Sequence, residues 1–375
     1  MKHFRRVLSG MGMASALALC SLGTRASAQH ALAAPRKPAI DTSIPCGATS
    51  PDPERTVQSN DGFFFPGTGD AGDMLVFPGT RVVANGGSLR HTASTGIELV
   101  GMPPGSVVVR AYLYWTWVSL GAPVPGLHDT LRISRVPRAP VVGVFGAGAG
   151  LAWNVRVRTV TGVLVGAGPD PCWFGGGNFV YRADVTPFIT RGDTYLVWHP
   201  TGAAGSRDYS DPWGAPGPVP PLCEGATLVV VYTNGIEPMG VTYIYDAGLA
   251  GTMFLADPGL MYGLGGFFYP GTEARWINVG ADGQTGIGYP DLDVMGLETT
   301  TFAGAPIAGP GSAYNDSDWN GSANKPLGQL WDTSGHDVSA LLPFGAGGVG
   351  IAVSSPPAVI STDCLVAVCN VLWMN

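Results

Sequence analysis

The residues best placed to do chemistry lie near the C-terminal end, in Asp316-Ser317-Asp318-Trp319-Asn320-Gly321. Three oxygen-bearing side chains on alternate residues, followed by glycine, make the first half of a calcium loop. A hard cation needs several oxygens, and the chain must turn sharply to deliver them. The twelfth position is Leu327 and not the bidentate Glu of an EF-hand, so a distant acid would have to complete the cage. Asp332 and the pair Asp291 and Asp293 are the candidates. The expected metal ligands are therefore Asp316, Asp318, Asn320 and Asp332, with calcium as the expected cofactor. The competing reading is an Asx turn with an Asn-Gly hairpin signal, which needs no metal.

Asp291 and Asp293 offer a second chemistry. On one strand they would share a face about 6.6 Å apart, inside the separation a glycosidase requires of its two carboxyls. That spacing is common in any strand, and no G-x-S-x-G elbow, H-E-x-x-H helix or phosphate loop accompanies it. His91, His128, His199 and His336 are scattered and read as turn or surface residues. Trp173, Trp198, Trp213, Trp276 and Trp319 stand beside Gly, Pro and Asp. There they could stack on sugar rings, but packing of loops onto a core accounts for them more simply. These residues favour a non-enzymatic protein, with a lectin-like or glycosidase activity as the alternative.

The chain that must position these groups has 375 residues, of which 56 are Gly and 32 Pro, yet 45% are hydrophobic and only 13% charged. Disordered segments and coiled coils do not carry that composition. Lys2, Arg5 and Arg6 precede an apolar stretch from Val7 to Leu22, and Ala26-Ser27-Ala28 gives a small-x-small cleavage site. Residues 1–28 read as a signal peptide, which places the protein outside the cell or on its outer surface. No later stretch is long enough for a membrane-spanning helix. The net charge of −7 includes four basic residues and no acid within that segment, and only three lysines occur in all. Nucleic acid is therefore excluded as a partner; surface glycans or other envelope proteins remain.

Cys46, Cys172, Cys223, Cys364 and Cys369 follow the signal segment. In an exported protein they favour disulfides. Cys364 and Cys369 would lie about 16 Å apart on opposite faces of one strand, too far to pair. Cys172 with Cys223, and Cys46 with Cys369, are the expected bridges.

Residues 29–60 are rich in Pro, Ala and Ser and read as a flexible leader. From residue 61 to 375, strand signals recur between Gly and Pro. In Val107–Val118, Val107, Val109, Ala111, Leu113, Trp115 and Trp117 share one face, and Arg110, Tyr112 and Tyr114 lie on the other. Further runs are Thr130–Val136, Asn154–Val160, Thr227–Thr233, Val241–Tyr245, Val349–Val353 and Leu365–Trp373. Period-two alternation without helical periodicity predicts an all-β, jelly-roll-like β-sandwich. Two echoes raise the prospect of two packed, duplicated sandwiches divided at 61–235 and 236–375. Gly62–Thr68 returns as Gly266–Thr272, and Asp184-Val185-Thr186 returns as Asp337-Val338-Ser339.

Six segments in fixed order carry a resemblance: Val108–Trp115, Tyr181–Phe188, Gly225–Tyr232, Tyr245–Gly248, Asn278–Gln284 and Trp331–Val338. Together the chain resembles a family of exported bacterial and archaeal surface domains labelled a domain of unknown function. The resemblance implies an all-β secreted or surface protein and implies no activity. The expectation is an adhesive, matrix or envelope protein, stabilised by calcium.

Overall fold

The computed structural model describes residues 73–90, 94–136, 156–169, 176–190, 193–200, 221–247, 259–283, 298–310, 312, 317–319, 321, 330–354 and 364–375, with 55–57 and 253–255 described by backbone pairing alone. All lie within the compact unit Asp52–Asn375. Nineteen strands form among them, and no α-helix. The first ten are β1 (Arg55–Val57), β2 (Met74–Ser88), β3 (Thr95–Glu98), β4 (Val107–Ser119), β5 (Thr130–Val136), β6 (Val157–Thr161), β7 (Val163–Pro169), β8 (Gly177–Asp184), β9 (Thr194–Trp198) and β10 (Leu222–Thr233). The rest are β11 (Gly240–Asp246), β12 (Met253–Leu255), β13 (Leu260–Gly265), β14 (Ala274–Ala281), β15 (Thr299–Phe302), β16 (Ala305–Ala308), β17 (Trp331–Asp337), β18 (Gly348–Ser354) and β19 (Cys364–Met374). β1 pairs with the start of β2 and falls inside the stretch expected to be a flexible leader.

The strand order repeats. One inner sheet runs β2-β10-β4-β8, with β7 beyond, and faces an outer sheet β3-β9-β5-β6. The other inner sheet runs β11-β19-β14-β17 and faces an outer sheet β13-β18-β15-β16. Numbered within each repeat, both read 1-8-3-6 against 2-7-4-5, the eight-stranded arrangement of a jelly roll. The fold is thus an all-β sandwich built twice. The echo at Asp184 and Asp337 lies at equivalent places. Thr186 Oγ1 accepts from Ala111 N at 3.0 Å, and Val185 N donates to Ala111 O at 2.8 Å. Ser339 Oγ accepts from Ala274 N at 2.9 Å, and Val338 N donates to Ala274 O at 2.9 Å. Val185 and Val338 even share backbone angles, φ −114° with ψ 11° and φ −116° with ψ 13°. The other echo, at Gly62–Thr68, lies outside the described residues.

β2 joins the repeats. Its first half pairs with β11 as far as Thr80, and its second half pairs with β10 from Arg81 onward. The turn between the halves is Pro78-Gly79, where Gly79 takes φ +68° and so needs glycine. Thr80 staples the corner. Its hydroxyl donates to Phe77 O at 2.7 Å, and its carbonyl accepts from Trp373 Nε1 at 2.7 Å. The two inner sheets therefore face each other. Tyr112, Tyr114, Val229 and Val231 from one meet Ile244, Val279, Val366 and Val371 from the other in a shared core.

Burial follows the layers. Inner strands are covered on both faces, so β10 and β19 are buried along almost their whole length. Outer strands face water on one side and alternate, as β9 and β18 do. This explains the continuous apolar runs Leu228–Tyr232 and Leu365–Val368, which a half-exposed strand would not need. In the first repeat, Trp115, Trp117 and Leu113 pack on Leu131, Ile133, Tyr195 and Val197. In the second, Tyr243, Tyr245 and Trp276 pack on Tyr262, Phe302 and Ile351.

Candidate functional site

Where the inner sheets diverge from the β2 corner, the shared core opens into a cleft of about 470 Å³. Arg81–Asn85 of β2 and Tyr232 of β10 line it from the first repeat. Arg275–Ile277 of β14, Gly335–Asp337 of β17 and Trp373 of β19 line it from the second. Its floor is apolar, made by Val82, Ala84 and Ile277 at the edge of the shared core. Its walls are charged. Arg81 lies 4.1 Å over the Trp373 ring and within 3.5 Å of Glu273. Glu237 accepts from Tyr232 at 3.0 Å and Asn234 at 2.8 Å. Arg275 donates to Glu273 at 3.1 Å and is 60% exposed. Asp337 accepts from Ser339 N and Oγ, and these bonds hold its pKa below the ordinary carboxylate value. Both signs of charge are present and each carboxylate is held by neighbours, so the walls present fixed donors and acceptors with little net charge.

Two ionic clusters tie the repeats together beneath the surface. Asp246 of β11 accepts from Tyr114 of β4 and Arg182 of β8, both at 2.7 Å. Burial, more than anything else, raises Asp246 to about 6, against the pull of Arg182 and Tyr114. Burial, and then Asp246, push Tyr114 well above its ordinary value. In the second cluster Arg90 bonds Glu224, and Asp282 of the other repeat stands 3.9 Å from the same guanidinium nitrogen.

Of the histidines expected in turns or at the surface, His128, His199 and His336 are buried, and His91 lies outside the described residues. His128 and His199 bracket Trp117, with ring centroids 5.1 and 5.0 Å away. His128 Nδ1 accepts from Val124 N at 2.8 Å, and His199 Nε2 donates to Leu127 O at 2.7 Å. Burial lowers the pKa of both rings. His336 stacks on Trp276 at 5.7 Å, and its Nε2 contacts both oxygens of Asp318, at 2.8 and 2.9 Å. Sequence spacing could not find these histidines, because each is buried by a strand or loop remote in the chain.

Of the expected calcium ligands, Asp318 turns inward onto His336, and Asp332 Oδ2 accepts from Gly321 N at 2.8 Å. Asp316 and Asn320 lie outside the described residues, as do Asp291 and Asp293. Among the described residues no group of three or more His, Cys, Asp or Glu side chains comes together as a metal site. Trp276 and Trp319 are fully buried and so are core residues, not sugar platforms. Trp173 and Trp213 lie outside the described residues.

The expected disulfides are corrected. Cys223 and Cys369 are buried free thiols, so neither the bridge of Cys172 with Cys223 nor that of Cys46 with Cys369 forms. Both thiols sit within paired inner strands and are covered on both faces. Cys46 and Cys172 lie outside the described residues. Cys364 is disulfide-bonded. Cys364 and Cys369 also share one core layer and not opposite faces, because the pairing of β14 with β19 shifts between Val279 and Gly280.

The chain matches no protein-family model and no curated protein. Among solved structures it is similar to BuGH86 in complex with neoagarooctaose, at TM-score 0.22 and 10% identity over 81% of this chain and 35% of that one. The chain thus spans about a third of that protein's length. The tandem CBM51 modules of Sp3GH98, a family 98 glycoside hydrolase from Streptococcus pneumoniae, align at TM-score 0.20 and 9% identity over 81% and 84% of the two chains. A chain of the Sputnik virophage aligns at TM-score 0.17 and 11% identity over 79% and 85%. Superpositions this loose support no statement about this chain's activity.

Proposed function

We propose that this chain is an exported, non-enzymatic surface protein that recognises neutral glycans through the cleft between its two jelly rolls. The observation that carries the reading is the chemistry of that cleft. An apolar floor lies under walls of anchored Arg, Glu, Asp and Tyr groups of both signs. A sugar ring offers an apolar face and a rim of hydroxyls that both donate and accept, and pre-positioned polar groups over an apolar floor suit it. A strongly charged ligand would meet groups of its own sign there. Clefts between repeated units are also common places for ligands. The adhesive or envelope role follows from this binding together with export, for which removal of residues 1–28 would leave Gln29 as the first residue.

The test is binding of the purified full-length secreted chain to an array of neutral and acidic polysaccharides. Neutral glycans are expected to bind, and Arg275→Ala and Glu237→Gln to weaken them at least about tenfold, the loss of one well-made polar contact. No binding above background, or binding unaffected by either substitution, would remove the reading.

A further inference from the structure

The shared clasp aligns the two repeats residue by residue, since Ala111 and Ala274 occupy equivalent positions. Two residues on, Leu113 corresponds to Trp276. Two further on, Trp115 corresponds to Asn278, and Trp117 to Gly280. The cross-strand partners agree. Trp115 pairs with Tyr181 and Asn278 with Ser334, while Trp115 pairs with Ala226 and Asn278 with Asn370 on the other side. In the first repeat this row is a stacked indole and phenol, centroids 5.7 Å apart at 17°. In the second repeat the same row is Ser334, Asn278 and Asn370.

In the second repeat a different indole enters this layer. Trp319 drops from its loop onto Gly280, where even a Cβ would come within 2.5 Å of the indole. Trp319 thereby takes the place that Trp117 fills in the first repeat. Asn370 is engaged, accepting from Trp276 at 2.9 Å and Tyr262 at 3.1 Å. Asn278 is fully buried, and among the described residues neither its Oδ1 nor its Nδ2 has a hydrogen-bond partner. The same holds for the buried Ser334 hydroxyl opposite it. An amide left this way costs several kcal/mol of transfer free energy, and such a group calls for an explanation, of which a bound ion is one.

Two carboxylates flank the row. Asp332 lies one pair along on the same face of β17. Asp318 is held over His336, one pair along in the other direction, and the chain then runs directly to Trp319 over Gly280. Asp318 meets an imidazole N–H, and Asp332 has a backbone N–H among its partners; a carboxylate offers about four lone-pair sites in all. We propose that this niche is a calcium site, built from Asn278 Oδ1, Ser334 Oγ, Asp318 and Asp332. Hard oxygen donors of mixed charge, with water completing the shell, are what calcium takes. The cation replaces, as the filler of the second repeat, the aromatic pair that fills the first. The ligand set shares Asp318 and Asp332 with the loop motif and adds two residues that no loop motif could supply.

Terbium tests the site, because it stands in for calcium and its emission is sensitised by aromatic rings close to the ion, here Trp276, Trp319 or Tyr262. EDTA-stripped full-length protein is expected to give sensitised emission that calcium displaces, one calcium per chain by elemental analysis, and a rise in Tm on the order of 5 °C at saturating calcium. Asn278→Leu, which fills the niche with apolar atoms, is expected to abolish the emission and the calcium-dependent rise while leaving the circular dichroism unchanged. Ser334→Ala is expected to weaken calcium about tenfold without loss of folding. Absence of sensitised emission in the folded wild type, or emission unaltered in both Asn278→Leu and Asp318→Asn, would overturn the proposal.

Discussion

The two jelly rolls share a strand order and a clasp, yet fill their interiors by opposite means. The first stacks Trp115 on Tyr181 and surrounds Trp117 with two imidazoles. The second threads polar groups through the corresponding layer: Asn278, Ser334, Asn370, and the Asp318 contact with His336. The backbone frame of a jelly roll is set by pairing and by the clasp. The contents of its layers are free to diverge so long as volume and hydrogen bonds are both satisfied. What the second repeat gives up in aromatic area it must recover through polar contacts, and a polar interior is where a ligand can enter.

The largest effect should separate the two interiors. Trp115→Ala empties a fully buried indole site and is expected to cost about 3–5 kcal/mol, measured by denaturant unfolding. Asn278→Leu, at the equivalent place, should change stability by less than about 1 kcal/mol in calcium-free buffer. Equal costs would mean that the repeats are filled alike.

Next comes the contact between the repeats. Asp246 has its pKa raised, burial first, from 3.8 to about 6. Folding therefore favours the protonated form, so this group's contribution is present at low pH and is lost as pH rises through about 6. The shift corresponds to roughly 3 kcal/mol. Asp246→Asn should flatten the pH dependence of unfolding free energy across that window. An unchanged profile would show that the junction does not rest on this carboxyl.

A smaller effect tests the clasp. Thr186→Ala and Ser339→Ala should each cost about 1 kcal/mol, and should cost the same within error if the clasps are equivalent. Smallest at neutral pH is the histidine pair. The pKa values of His128 and His199 are both lowered by burial from the ordinary 6.5, so the neutral rings belong to the folded state. That contribution is intact above 6.5 and falls away as the solution is acidified below it. Protonating His128 Nδ1 would also set it against the Val124 N–H. Melting temperatures from neutral pH downward should drop less steeply for His128→Asn than for the wild type.

Much of the frame was legible in the chain. Thr130–Val136 is strand β5 to the residue, and the expected run Val107–Val118 differs from β4 by a single residue. Period-two alternation and continuous apolar runs report directly on one-sided and two-sided burial. The echo at Asp337 marked the repeat because the clasp is local, built from three consecutive residues and one neighbouring strand. β2 was not legible. Pro78-Gly79 and Gly86-Gly87 look like breaks, whereas they are the corner and a close crossing, where a Cβ on Gly86 would lie 2.3 Å from Thr227. The cleft left no motif at all, since Arg81, Glu237, Arg275 and Trp373 are gathered from four separate places in the chain.

By itself, then, the amino-acid sequence determined the secondary structure, the layered class of fold and the turn chemistry that is used twice, because these depend on neighbours a few residues apart. Tertiary structure alone decided which cysteines stay reduced, which histidines are buried and which residues line the cleft. It alone also set Asn278 and Ser334 where the first repeat carries Trp115 and Tyr181. Those outcomes depend on pairing between segments more than a hundred residues apart, and on a strand that turns from one sheet into the next.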